Sequence, residues 1–302
     1  MLRSIPENHT PKLHTIIIVA LLLFISGCDI FAPGWDKMGA RHKFASWSPS
    51  SEWIAFYDGV ENYICLVDTT GLKTHKIMSM DTPGLSDIRD LTWSPDSRWI
   101  AFASSGDIFR MTAEGDSLTR LTNIGDLGHP SWSRSGEYIA FQKWDDSVRE
   151  GSIWFMHADT LETTLLAESG ESPSWHPDSV RVVFQKNQQM DQGHIYAVNI
   201  ETMEIDTLAN IKTSSGLYYH NAEINPQGDA VVFDVSPLDG PSEIFKYNIA
   251  TTELTWITRG GGSYPSWSPD GKWIVYTYVW DGNGGLWISN SDGTWKRQLT
   301  DP

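Results

Sequence analysis

The chain has 302 residues, 40% hydrophobic and 20% charged, which is enough apolar content for a large core and too much for a disordered chain. A formal net charge of -16 repels phosphate backbones and argues against nucleic acid as a partner. The two cysteines, Cys28 and Cys65, have neither zinc-ligand spacing nor the spacing of a redox pair.

Arg3, Lys12 and His14 precede an unbroken apolar run from Ile16 to Ile25. The run is only half of the about 20 residues needed to span a bilayer. A basic flank, a short apolar stretch and small residues after it are the pattern of a secretory signal. The run ends Ile25-Ser26-Gly27-Cys28, which resembles the bacterial lipobox, where the cysteine is lipidated and becomes the mature N-terminus. The expected organisation is a signal peptide over residues 1–27, a lipidated tether over 28–42 and a single β-domain over 43–302. Cys65 lies in the apolar run Tyr63-Ile64-Cys65-Leu66-Val67 and is expected to be a buried thiol.

Beyond the tether the chain repeats itself. Ser46-Trp47-Ser48-Pro49 recurs as Thr92-Trp93-Ser94-Pro95, Ser131-Trp132-Ser133-Arg134, Ser174-Trp175-His176-Pro177, Glu223-Ile224-Asn225-Pro226 and Ser266-Trp267-Ser268-Pro269. Nine residues after each Trp or Ile stands an aromatic: Phe56, Phe102, Phe141, Phe184, Phe233 and Tyr276. The segment between them reads as strand A, a Ser-Pro-Asp-Gly type turn and strand B. After a connection of variable length, strand C opens at Ile64, Ile108, Ile153, Ile195, Ile244 and Leu286. Thirteen residues further, in all six copies, strand D carries Ile77, Leu121, Leu166, Leu208, Ile257 and Leu299. The return from D to the next A varies again. Six four-stranded antiparallel meanders predict an all-β fold, a six-bladed β-propeller, with the repeated Trp residues in its core.

The pattern Trp-Ser-Pro-Asp-Gly-x-x-Ile-(Ala/Val)-(Phe/Tyr), followed by a C strand and an Asp-Gly turn ending in Leu-Thr, resembles the TolB-type propeller repeat. The sixth copy carries it most fully, from Trp267-Ser268-Pro269-Asp270-Gly271 to Gln298-Leu299-Thr300. The resemblance covers residues 44–300 and implies the propeller fold. TolB has a separate α/β domain before its propeller, and the about 15 residues between Cys28 and the first blade leave no room for one. The expectation is therefore a TolB-like propeller without that domain, carried as a lipoprotein.

The spacings orient the domain. A–B and C–D turns share one rim and keep their lengths; B–C and D–A connections share the other and vary. Variable loops on a rigid frame are where recognition resides, so the second rim is the expected binding face. Its candidate residues are Trp144, Asp145, Asp146, Trp280 and Asp281. Residues three before each anchor should ring the channel mouth: Phe44, Asp90, His129, Ser172, Asn221 and Tyr264. No nucleophile elbow, metalloprotease helix motif or phosphate-binding loop occurs, so no catalytic residue, metal ligand or cofactor is assigned. The expected function is a monomeric, lipid-anchored scaffold or binding module of the bacterial cell envelope, on a periplasmic or outer face. Its expected partner is an envelope protein or a peptidoglycan-associated one, and its contact with the membrane is the N-terminal lipid. The alternative is a glycan-binding protein or metal-dependent polysaccharide lyase using the channel, where His129, His220 and His42 would be the histidines to supply ligands.

Overall fold

The computed structural model describes residues 41–189, 192–212, 217–237, 240–278 and 284–301. Blade one is β1 (His42–Trp47), β2 (Trp53–Asp58), β3 (Tyr63–Asp68) and β4 (Thr74–Ser79). Blade two is β5 (Arg89–Trp93), β6 (Trp99–Ser104), β7 (Asp107–Thr112) and β8 (Thr119–Arg120). Blade three is β9 (Leu127–Trp132), β10 (Tyr138–Asp145), β11 (Glu150–His157) and β12 (Thr163–Ala167). Blade four is β13 (Glu171–Trp175), β14 (Arg181–Gln189), β15 (Gln192–Asn199) and β16 (Ile205–Lys212). Blade five is β17 (Leu217–Ile224), β18 (Ala230–Pro237), β19 (Glu243–Asn248) and β20 (Leu254–Trp256). Blade six is β21 (Ser263–Trp267), β22 (Trp273–Tyr278), β23 (Gly285–Asn290) and β24 (Lys296–Gln298).

Each blade is an antiparallel sheet whose strands lie in chain order, so no strand is exchanged between blades. First strands touch first strands around a ring: β1 to β5, β5 to β9, β9 to β13, β13 to β17, β17 to β21, and β21 back to β1. The expected all-β, six-bladed propeller of four-stranded antiparallel blades is the fold observed.

The nine-residue interval has a structural cause. In every blade the A–B register slips by one residue, and the unpaired residue on strand B is the repeated aromatic. Two residues of strand A oppose that one aromatic, which is a β-bulge. The six aromatics are 0–2% exposed. Alternation along strand B does not sort inside from outside, because both faces of a blade are covered. Instead it sorts neighbours: Ile54 and Phe56 face blade six, with Val275 and Leu286, while Ala55 faces blade two, with Ile100 and Phe102. Cys65 sits in the same core, 2% exposed, and burial pushes its thiol up to about 12.

The thirteen-residue interval is a hydrogen-bonded pair. Leu121, Ile257 and Leu299 donate their N–H to Ile108, Ile244 and Leu286 across strands D and C. The Thr that follows completes the join, since Thr122, Thr258 and Thr300 Oγ1 accept the N–H of the same C-strand residues at 2.9–3.0 Å. This is the physical content of the Leu-Thr ending. The glycine of the C–D turn has a cause of its own. Gly71, Gly115 and Gly293 sit at φ +81°, +88° and +73°, and a Cβ on them would collide with the D-strand carbonyl of the preceding blade at Leu299, Ile77 and Ile257. Each of these three turns therefore butts against its neighbour, and the contact that closes the ring from blade six to blade one is of the same kind as the two inside it.

Candidate binding site at the channel mouth

The bulges build the site. In each blade the first bulged residue of strand A is held in the left-handed region: Phe44, Asp90, His129, Ser172, Asn221 and Tyr264, at φ between 50° and 57°. Side chains pay for this conformation, about 1–2 kcal/mol each for residues other than glycine. These are the six positions expected at the mouth, and all six line one cavity of about 540 Å³ along the propeller axis. The next residue is Pro in three blades, Pro130, Pro173 and Pro265, where the missing N–H removes no ladder hydrogen bond.

In blades three to six the N–H of this bulged residue faces the preceding blade, and a side chain of that blade receives it. His129 N donates to Asp90 Oδ2 at 3.2 Å, Ser172 N to Gln142 Oε1 at 3.1 Å, Asn221 N to Ser172 Oγ at 3.3 Å and Tyr264 N to Asp234 Oδ1 at 3.2 Å. A second relay runs deeper. The N–H of Trp132, Trp175, Ile224 and Trp267 donates to Thr92 Oγ1, Ser131 Oγ, Ser174 Oγ and Glu223 Oε1. The mouth is thus fixed by hydrogen bonds from blade two round to blade six. Blades six and one meet at the mouth through an edge-to-face contact of Phe44 and Tyr264, with centroids 4.6 Å apart. One side of the mouth is aromatic; the other carries a carboxylate, an imidazole, a hydroxyl and an amide.

Two acids in blade five stand out electrically. Burial pushes the carboxyls of Glu223 and Asp234 up to about 7, against the opposing effect of the hydrogen bonds they accept. Glu223 belongs to the cavity wall, and Asp234 lies behind it, 2% exposed, receiving Asn221 Nδ2 at 2.7 Å. Burial also pushes His220 down to about 4. Sequence reasoning assigned no role to either acid. The signal for Glu223 was its place in the Ser-Trp tetrapeptide, where the other copies have Ser or Thr. Asp234 follows Phe233, a position whose contact across the seam shows only in three dimensions.

Trp47, Trp93, Trp175 and Trp267 are 4–7% exposed and border the cavity as part of the core. The rim candidates divide. Trp144 is half-buried at the end of β10 and donates its indole N–H to Asp146 at 2.8 Å. Asp145 is exposed and receives both the N–H and the hydroxyl of Ser147. These contacts shape the β10–β11 loop. Trp280 and Asp281 lie outside the described residues, as do Cys28 and the signal and tether segments up to residue 40. The rim is uneven: β10, β11, β14, β15, β17 and β18 have eight or nine residues, while the strands of blades one, two and six have at most six. At about 3.3 Å per residue, blades three to five rise some 7–10 Å higher beside the mouth.

A divalent metal does not fit the histidines considered. His42 is buried against Asp58 and Thr300, His129 sits beside Asp90, and His220 stacks on Tyr218. Among the described residues no three His, Cys, Asp or Glu gather as a metal site.

The fold is similar to TolB from Acinetobacter baumannii, with a TM-score of 0.66 and 20% identity, over 86% of this chain and 63% of that one. The chain thus spans less than two thirds of that protein. It is also similar to a putative TolB from Agrobacterium tumefaciens, with a TM-score of 0.64 and 18% identity, over 82% of this chain and 90% of that one. An oligogalacturonate lyase in complex with manganese matches at a TM-score of 0.57 and 18% identity, over 82% and 76%. Identities this low show the fold alone. No curated protein sequence matches. The family model of the TolB beta propeller domain matches residues 41–215, and the bulges and aromatics of blades five and six repeat those of the matched blades. The chain belongs to the TolB beta propeller domain family.

Proposed function

We propose that the protein is a lipid-anchored binding module of the bacterial cell envelope that captures another envelope protein, or one associated with peptidoglycan, on the rim around the channel mouth. The observation that carries this reading is the ring of six non-glycine residues held in the left-handed region round one cavity. Backbone strain repeated six times at one mouth marks a surface kept in shape for a ligand. The raised half-rim of blades three to five supports it, and so do exposed Val60, Ile124 and Val148 in the variable loops.

Chemical crosslinking and pulldown from membranes tests the face. Trp144→Ala combined with Tyr264→Ala should lower partner recovery by about tenfold or more, the range of an interface anchor. Recovery equal to that of the wild type would sink the proposed face. The anchor is tested separately by mass spectrometry of the mature N-terminus: acylated Cys28 is expected, and a Cys28→Ser variant that is processed and membrane-bound like the wild type overturns it.

A second reading has an observation of its own, the Phe44–Tyr264 aromatic pair beside Asp90 and Asn221, a combination suited to a glycan end. Calorimetry with peptidoglycan fragments and oligogalacturonates decides it; no heat of binding at millimolar glycan removes it.

A further inference from the structure

The mouth is joined unevenly, and its unjoined side carries a chemical pattern. In blades three to six the bulge N–H is received by one of two side chains of the preceding blade. These are its mouth residue, Asp90 or Ser172, or the residue after its strand-B aromatic, Gln142 or Asp234. Ahead of blade two the same positions hold Phe44, which has no acceptor atom, and Tyr57, whose hydroxyl donates to Asn62 at 2.8 Å. Ahead of blade one they hold Tyr264 and Thr277, and the Thr277 hydroxyl is buried with no partner among the described residues. Among the described residues, then, no side chain receives Phe44 N or Asp90 N. Both residues lie inside the register slip, outside the paired positions of the A–B ladder. Backbone donors in such half-buried places call for a partner. Asp90 also offers an acceptor: its Oδ2 serves His129, and its Oδ1 has no partner among the described residues. Beside it stands the half-buried edge-to-face pair of Phe44 and Tyr264. Donors, acceptor and apolar seat thus gather where blades six, one and two meet the mouth, the side with the shortest strands. Anionic ligands are disfavoured there. The formal net charge is -16, Asp90 and Glu223 line the cavity, and the adjacent Arg89 is held by Asp87 at 2.6 Å. Arg134, a basic residue of the lining, lies in the A–B turn of blade three at the opposite rim.

We propose that Phe44, Asp90 and Tyr264 form a subsite for the N-acetyl group of an uncharged amino sugar. A secondary acetamide presents one acceptor, one donor and one methyl. Its carbonyl oxygen accepts a bulge N–H of blade one or two, its N–H donates to Asp90 Oδ1, and its methyl packs on the Phe44–Tyr264 pair. The left-handed backbone at Phe44 and Asp90, φ 57° and 51°, is what turns these N–H groups out of the ladder. The sugar ring occupies the cavity of about 540 Å³, within the usual range of small-ligand sites. A peptide amide offers the same donor and acceptor, but its chain continues beyond the carbonyl, where the aromatic corner suits a terminal methyl. The subsite rests on the glycan reading given above and narrows it from sugars in general to N-acetylated, uncharged ones.

Titration calorimetry of the full chain with di-N-acetylchitobiose, cellobiose and N-acetylalanine methylamide tests the subsite. Di-N-acetylchitobiose should bind about tenfold or more tightly than cellobiose, which has the same linkage and no acetamido group. Asp90→Asn should remove most of that difference: its amide oxygen can still receive His129 N, and the amide nitrogen then turns a donor towards the acetamido N–H. Tyr264→Ala should weaken di-N-acetylchitobiose by about tenfold through loss of the methyl seat. Equal affinity of the wild type for the two sugars overturns the acetamido subsite and leaves the glycan reading standing. Binding of neither sugar overturns both, and neither result depends on a variant folding. Discrimination that survives in folded Asp90→Asn and Tyr264→Ala overturns the assignment to these residues. N-acetylalanine methylamide that displaces di-N-acetylchitobiose at equal concentration assigns the site to peptide amides and overturns the sugar.

Discussion

A single hydroxyl explains why this repeat ends as it does. Thr122 is 7% exposed, accepts Ile108 N and donates to Asp107 Oδ1. Replacing it with Val keeps the shape and leaves the Ile108 N–H buried with no acceptor from this side chain. Thr122→Val should lower stability by about 1–3 kcal/mol in denaturant titration, and the same holds for Thr258→Val. Such residues were legible in the sequence as a motif and illegible as a cause. Leu-Thr could be seen to recur, but that Thr caps strand C requires the C–D register. The six mouth positions were legible by counting back from an anchor, because a bulge shared by every blade keeps the count constant. Their left-handed backbone was not, since Phe44 and Tyr264 are side chains that normally avoid it.

Among elements, the C–D turns show how a constant length records a contact. Gly115 must be glycine for two reasons, φ +88° and the carbonyl of Ile77 pressed against it; Gly84 has φ +91° and nothing within 4 Å. Gly84→Ala should therefore cost only the backbone term, about 1–2 kcal/mol, and Gly115→Ala distinctly more. Equal denaturation midpoints for the two variants would show that turn-to-blade contact does not limit loop identity. The variable B–C connections gave no such information from sequence. Their length difference was visible, yet the extension of β14 and β15 into a raised hairpin depends on pairing that Asn187-Gln188-Gln189 does not advertise, being neither β-branched nor aromatic.

On the scale of the whole molecule, the ring closes without sharing a strand. His42 Nδ1 lies 2.7 Å from Thr300 Oγ1, its Nε2 lies 3.4 Å from Asp58 Oδ2, and Arg297 donates to the carbonyls of Thr69 and Thr70. Burial, aided by Arg41, lowers the His42 imidazole below its ordinary value, and Asp58 only partly opposes this. His42 is therefore neutral in the closed ring and takes up a proton more readily when unfolded. Its contribution is present above about 6.5 and is lost as pH falls below it. Thermal unfolding from pH 7.5 to 5 should show a fall in Tm that a His42→Gln variant reduces. A slope unchanged in the variant would place the titrating group elsewhere.

The closure at His42 and Thr300 also decides how the protein bears load. The chain enters the ring on β1 and leaves it after β24, so the first and last blades meet at one seam where, among the described residues, no strand of one pairs with a strand of the other. A pull on the residues before Arg41 is delivered to the innermost strand of that seam, in line with β1. Force that draws the domain away from whatever holds its N-terminus is met first by the pairing of β1 with β2 and by the His42 latch, with the other five blades spared. Under tension the propeller should behave as a hook with a single clasp, and stretching experiments should find that the first rupture frees blade one.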